Sequence, residues 1–237
     1  MNKWMVAAAL VGVTSSAVYA DGARDLATSD AFTPGILRAN DAGTGFLAVT
    51  SDFDGARSDV RVSALGEVHL YWRLRAIVRV LDVFSDSPRP GIGAGIRWLD
   101  GDITSTAYLM FKTEGFSEPE GELEALVSFE RAFGAVHASA NLAYGQDPEG
   151  NERDGEVALV AHVEPRTGWF AGGIARYRDA LGSTKESVIR DAFVGPTSTL
   201  TLGAFAVSLN AGLAMAETQM TGRKWGPSAT LSVGAAF

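Results

Sequence analysis

The sequence predicts an all-β chain, a transmembrane antiparallel up-and-down β-barrel of about twelve strands, with ten as the alternative count. Two patterns predict it. Apolar and polar or small residues alternate with a period of two in segment after segment from residue 43 onward, and the connectors between segments are short and long in turn. Successive side chains of a strand point to opposite faces, so each such segment has one apolar and one polar face. The segments are 43–53, 58–70, 74–84, 91–99, 103–113, 121–131, 134–144, 154–164, 168–178, 190–202, 205–217 and 226–237. Each is close to the nine to eleven residues that a tilted strand needs to cross a bilayer.

The N-terminus is read first as an export signal. "MNKWMVAAALVGVTSSAVYA" has a single Lys3, an apolar stretch from Trp4 to Val13, and small residues before Ala20, which predicts cleavage after Ala20. The apolar stretch is too short to remain as a membrane helix. Residues 21–42 are expected to form a periplasmic or luminal segment, and 43–237 the barrel. Loss of Lys3 with the leader leaves 19 basic against 28 acidic residues, a balance that argues against nucleic acid as a partner. Without cysteine, stability has to come from hydrogen bonding and burial.

The tight connectors are "YWRL" (71–74), "DGD" (100–102), "AFG" (132–134), "EPRTG" (164–168) and "GAFA" (203–206). The intervening ones, such as "TEGFSEPEGE" and "GQDPEGNERDG", are longer, polar and rich in breakers. A meander whose odd and even loops differ has two unlike ends, as expected of a barrel inserted from one side of a membrane. The fifth strand sets Ile103, Ala107, Leu109 and Phe111 against Thr104, Thr106, Tyr108 and Lys112. The seventh sets Val136, Ala138, Ala140, Leu142 and Tyr144 against His137, Ser139 and Asn141. The eleventh sets Phe205, Val207, Leu209, Ala211, Leu213 and Met215 against Ala206, Ser208, Asn210 and Gly212. The twelfth places Ala229, Leu231, Val233, Ala235 and Phe237 on its apolar face. Pro196 in the tenth segment requires a bulge or a later strand start.

Aromatics predict two interfacial belts. Phe46, Tyr71, Trp72, Trp98, Phe133, Trp169, Phe170, Phe205 and Phe237 lie near the tight turns; Phe53, Phe84, Phe111, Tyr144, Tyr177 and Trp225 lie near the long loops.

The leader, alternating strands, unequal turns and terminal Phe237 together resemble a Gram-negative outer-membrane β-barrel protein of the porin-like class, over about residues 43–237. That resemblance implies an outer-membrane location, contact with outer-membrane lipid, and recognition of the last strand by the barrel-insertion machinery, with Phe237 as the insertion signal. Ala235 is small where the class usually carries a bulkier residue, and Gly234 sits close to the end.

Several constellations bear on chemistry. His137-x-Ser139 resembles the His-x-Ser spacing of outer-membrane phospholipases, but alternation turns both residues to the luminal side, so polar lining is the preferred reading. "GIGAG" (91–95) lacks the spacing and following helix of a dinucleotide site and reads as a strand that accommodates a neighbour or a bend. Asp52 and Asp54 could face calcium or serve a turn. His69 and His162 have no ligand partners at recognisable spacing, and no cofactor or metal is expected.

Alternation turns Arg61, Arg73, Arg75, Arg79 and Arg97 inward from one side, and Glu122, Glu124, Glu130, Glu156 and Glu164 inward from the other. Such walls would orient small polar solutes in a wet lumen, or pair and plug a narrow one. The expected function is therefore a non-enzymatic channel for passive diffusion of small polar solutes. The alternatives are a non-conducting structural or adhesive barrel and, less favoured, a lipid-modifying hydrolase or a soluble secreted β-protein.

Overall fold

The computed structural model describes residues 45–86, 88–113, 121–148, 153–181, 188–218 and 222–237. The expected leader and the segment 21–42 lie outside these residues, as do 114–120, 149–152, 182–187 and 219–221 of the long connectors. Twelve strands follow one another: β1 (Gly45–Asp54), β2 (Asp59–Tyr71), β3 (Leu74–Leu81), β4 (Arg89–Leu99), β5 (Ile103–Thr113) and β6 (Gly121–Phe133). The second half comprises β7 (Val136–Gln146), β8 (Arg153–Arg166), β9 (Trp169–Ala180), β10 (Val188–Leu202), β11 (Phe205–Thr218) and β12 (Gly222–Ala236). Each is antiparallel to the next, and β1 also pairs with β12, so the sheet closes into a barrel. Gly45 and Phe237 exchange backbone hydrogen bonds of 2.7 and 2.9 Å at that seam.

Residues that accept a left-handed backbone make the tight turns. Trp72 (φ 54°), Gly134 (φ 62°), Gly168 (φ 79°) and Gly203 (φ 62°) lie at reversals whose twist suits the flanking strands. The reversal expected at 132–134 lies two residues later, because β6 continues to Phe133. β3 stops at Leu81 instead of reaching 84, since Asp82 turns to φ 53° and binds Arg89 (Nε to Oδ2, 3.0 Å).

Pro196 stays inside β10 opposite Gly173 of β9, with no bulge. On the β11 side the pairing lapses at Gly195 and Pro196 and resumes in the same register at Thr197. The backbones there are so close that a Cβ on Gly195 would stand 2.8 Å from the Cα of Gly212.

The distribution of side chains reverses that of a soluble sheet. Outward residues are large and apolar, with Leu109 61% and Val194 57% exposed, whereas Glu67, Arg75, Thr106, Asn141, His162, Asp191 and Asn210 are buried inside. Such an apolar exterior is stable only against hydrocarbon. The apolar faces expected for β5, β7, β11 and β12 are the outward ones.

Most of the aromatics form the two outer belts, and near the long loops the hydroxyls of Tyr144 and Tyr177 donate to Gln146 Oε1 (2.9 Å) and Asp179 Oδ2 (3.2 Å). Phe46 and Phe170 depart from the expectation: both point inward and are buried. Phe46 occupies space left by Gly234, where an added Cβ would overlap the Phe46 ring. The interior also holds two apolar clusters. One contains Phe46, Leu65, Ile77, Tyr108, Met110 and Leu126; the other contains Ala158, Val160, Ile174, Phe193 and Ala214.

Candidate channel lumen

The inner wall is built around a bare strand. Gly91, Gly93 and Gly95 of β4 all face inward, opposite Arg79, Ile77 and Arg75 of β3 on one side and Lys112, Met110 and Tyr108 of β5 on the other. A Cβ on Gly93 would lie 2.5 Å from Met110 Cγ, and one on Gly95 would overlap the Tyr108 ring, 2.6 Å from its Cε1. The glycines therefore let Tyr108 lie across β4, where its hydroxyl donates to Glu67 Oε2 (2.9 Å) of β2. The other carboxylate oxygen accepts from Arg75 Nη1 (2.5 Å). Glu67 and Arg75 are 0% and 1% exposed. The accommodating role read for "GIGAG" has this physical form.

The remaining arginines separate by height. Arg79 reaches across the interior to Glu124 of β6, which also accepts from Lys112 Nζ at 3.2 Å; Lys112 is paired with Glu122 as well. Arg61 sits at the long-loop end, with Nε 2.7 Å from Asp59 and 4.0 Å from Asp82. Arg97 sits at the opposite end, 3.7 Å from Asp100. Arg73 is not in a strand: it occupies the β2–β3 turn, lies over the Trp72 ring and donates Nη1 to the Trp98 carbonyl (3.4 Å).

Of the acidic residues, Glu130 faces inward beside Ser139. Glu156 lies between Ala143 and Arg178 in the register. Glu164 accepts from the Gly168 N–H (2.8 Å) and holds the β8–β9 turn. A cavity of about 60 Å³ lies among Arg79, Glu124, Asp154 and Glu156, large enough to hold water.

The charges do not separate into two walls. Glu67 stands among the arginines of β2 and β3. On the far side Arg178 pairs with Asp154, and Asp191 receives Arg57 Nη2 (2.5 Å) and Arg176 Nη2 (3.2 Å). Glu67, Asp154, Arg176, Arg178 and Asp191 were not singled out from the sequence, although "RYRD" at 176–179 alternates in the same way. Pairing over a few ångströms cancels most of the field that segregated walls would produce.

A polar group lies toward the tight-turn end. His137 of β7 stacks on His162 of β8 with centroids 5.6 Å apart, and His162 meets the Phe170 edge. In the adjoining inward rows are Ser139, Asn141, Ser128 and Thr106. Ser139 Oγ has no hydrogen-bond partner, so His137 and Ser139 are not paired as base and nucleophile. Thr106 Oγ1, both amide atoms of Asn141 and His162 Nε2 are likewise buried without partners, as is Asn210 Oδ1 on the opposite wall.

That opposite wall is lined with hydroxyls. Thr50 and Ser232 share a hydrogen bond (2.9 Å), as do Thr199 and Ser208 (2.8 Å), and Thr230 donates to Asp52 Oδ1 (2.5 Å). Asp54 accepts from the backbone N–H groups of Ala56 and Arg57 (2.9 and 3.3 Å), so turn chemistry accounts for it. His69 Nε2 donates to the Trp72 carbonyl (2.7 Å) and caps its turn. Among the described residues no cluster of three or more His, Asp or Glu side chains is arranged to hold a metal ion.

No known family model matches the sequence, and no curated protein matches it. Solved structures do match. An outer membrane channel from Pseudomonas putida F1 superposes with a TM-score of 0.58 at 11% identity, covering 87% of this chain and all of that one. The fold is that of an outer-membrane β-barrel. The NanC porin superposes with a TM-score of 0.54 at 10% identity, covering 81% of this chain and 98% of that one. At such identities the likeness concerns the path of the backbone and not the residues that line it.

Proposed function

We propose that this chain is an outer-membrane channel through which small polar solutes diffuse passively. The observation that carries the proposal is the set of inward, buried polar atoms of Thr106, Ser139, Asn141, His162 and Asn210 that no protein group satisfies. Left dry, each costs about 1–3 kcal/mol; water or a passing solute supplies the missing partners. The ion pairs Arg75–Glu67 and Arg79–Glu124 narrow the interior and favour small solutes over large ones. The likeness to barrels that include an outer membrane channel and a porin supports the reading. Phe237 is proposed as the insertion signal, and the leader as the route to a Gram-negative outer membrane.

Reconstitution of the full chain in planar bilayers tests the proposal. Discrete current steps are expected, with altered conductance on Asn141→Leu; a folded sample that gives no steps overturns it. The apolar clusters around Phe46 and Phe193 favour a second reading, a filled and non-conducting structural barrel, and the absence of current steps is what that reading requires.

A further inference from the structure

The lipid-facing surface is not smooth. Across β7, β8 and β9 the outward positions Ala138, Ala140, Ala161, Gly173 and Ala175 form a low floor bordered by Phe129 of β6 and Val194 of β10, with Leu159 standing up between Ala140 and Ala175, and leave a groove of about 730 Å³. The sheet does not require this smallness throughout: a Cβ on Gly173 would meet nothing nearer than the Gly195 carbonyl oxygen at 3.8 Å. The missing volume is on the membrane side.

Arg131 of β6 also borders this groove. It faces outward between Ile103 and Ala138 in the register, three residues before the turn at Gly134 and thus about 10 Å along the strand from it. Its guanidinium lies over the Phe133 ring, 4.9 Å from the centroid, and makes no ion pair with any described residue. A lipid-facing cation is costly at mid-membrane and tolerable near the interface, where phosphates lie. A guanidinium binds phosphate oxygens in bidentate fashion.

We propose that this groove is a binding site for one glycerophospholipid of the periplasmic leaflet, with an acyl chain on the alanine and glycine floor and the phosphodiester on Arg131. A second copy of the chain fits less well. Copies in one membrane share an orientation, and the lipid-facing strand carboxylates Asp179 and Glu217 sit at the opposite rim, paired with Arg190 (3.1 Å) and Arg223 (2.9 Å).

Native mass spectrometry of the full chain, released from micelles containing dioleoylphosphatidylglycerol, tests the site. One retained lipid per chain is expected, reduced about tenfold by Arg131→Gln and also by Ala175→Leu, which fills the floor and leaves the guanidinium in place. Dioleoylphosphatidylethanolamine should be retained similarly, because the phosphodiester is the shared contact. Far-UV circular dichroism checks that both variants are folded, and should Arg131→Gln not fold, Ala175→Leu decides alone. Equal retention by wild type and the folded variants overturns the proposal. A two-chain mass lost on Ala175→Leu assigns the groove to a second copy and also overturns it.

Discussion

Glu67→Ala is the most informative single substitution in the interior. It removes the carboxylate that accepts from both Arg75 (2.5 Å) and Tyr108 (2.9 Å), and leaves a guanidinium that is 1% exposed without its counter-ion. Breaking one side of a buried ion pair costs about 3–5 kcal/mol. Tyr108→Phe removes only the hydrogen bond to a charged acceptor, about 1.5–3 kcal/mol. Glu67→Met with Arg75→Met, which removes both charges together, should cost less than Glu67→Ala alone. Equilibrium unfolding in guanidinium chloride of the barrel in lipid vesicles, followed by tryptophan fluorescence, measures all three. A loss below about 1 kcal/mol for Glu67→Ala, the range of a hydrated surface pair, would show that water reaches Arg75 freely and would refute the argument from burial.

Two further outcomes are expected. Gly95→Val places side-chain carbons where the Tyr108 ring lies and should cost about 1–3 kcal/mol as overpacking; the same unfolding assay checks it, and the penalty should shrink when Tyr108→Ala accompanies it. Asp191→Ala removes the carboxylate that holds Arg57 and Arg176, so trypsin should cut after Arg57 in vesicle-inserted protein faster than in wild type, and an unchanged rate would contradict the anchoring role.

Much of the strand plan was legible because period two is a direct consequence of backbone geometry. β5 spans 103–113 as read, and the outward faces of β7, β11 and β12 follow from their apolar side chains. Strand ends were less legible where the backbone left the sheet for local reasons, as at Asp82 with its positive φ, or continued through a proline, as β12 does at Pro227. The interior was legible only by face. Alternation places Ile77 and Arg79 on the same side, but it does not say that Ile77 packs with Phe46 and Leu126 while Arg79 spans to Glu124. Such pairings depend on register and curvature summed over several strands. Mixing of Glu67 into the basic side was hidden because each strand was read for its dominant charge.

The three inward glycines of β4 also bear on aperture. An aromatic ring standing upright from a barrel wall obstructs by its full length, whereas one lying flat on bare backbone takes up only about the 3.5–4.0 Å of a van der Waals contact. Tyr108, a bulky inward side chain, therefore projects less than its size suggests, and at 3% exposure it is itself covered by the packed interior around Phe46 and Leu126.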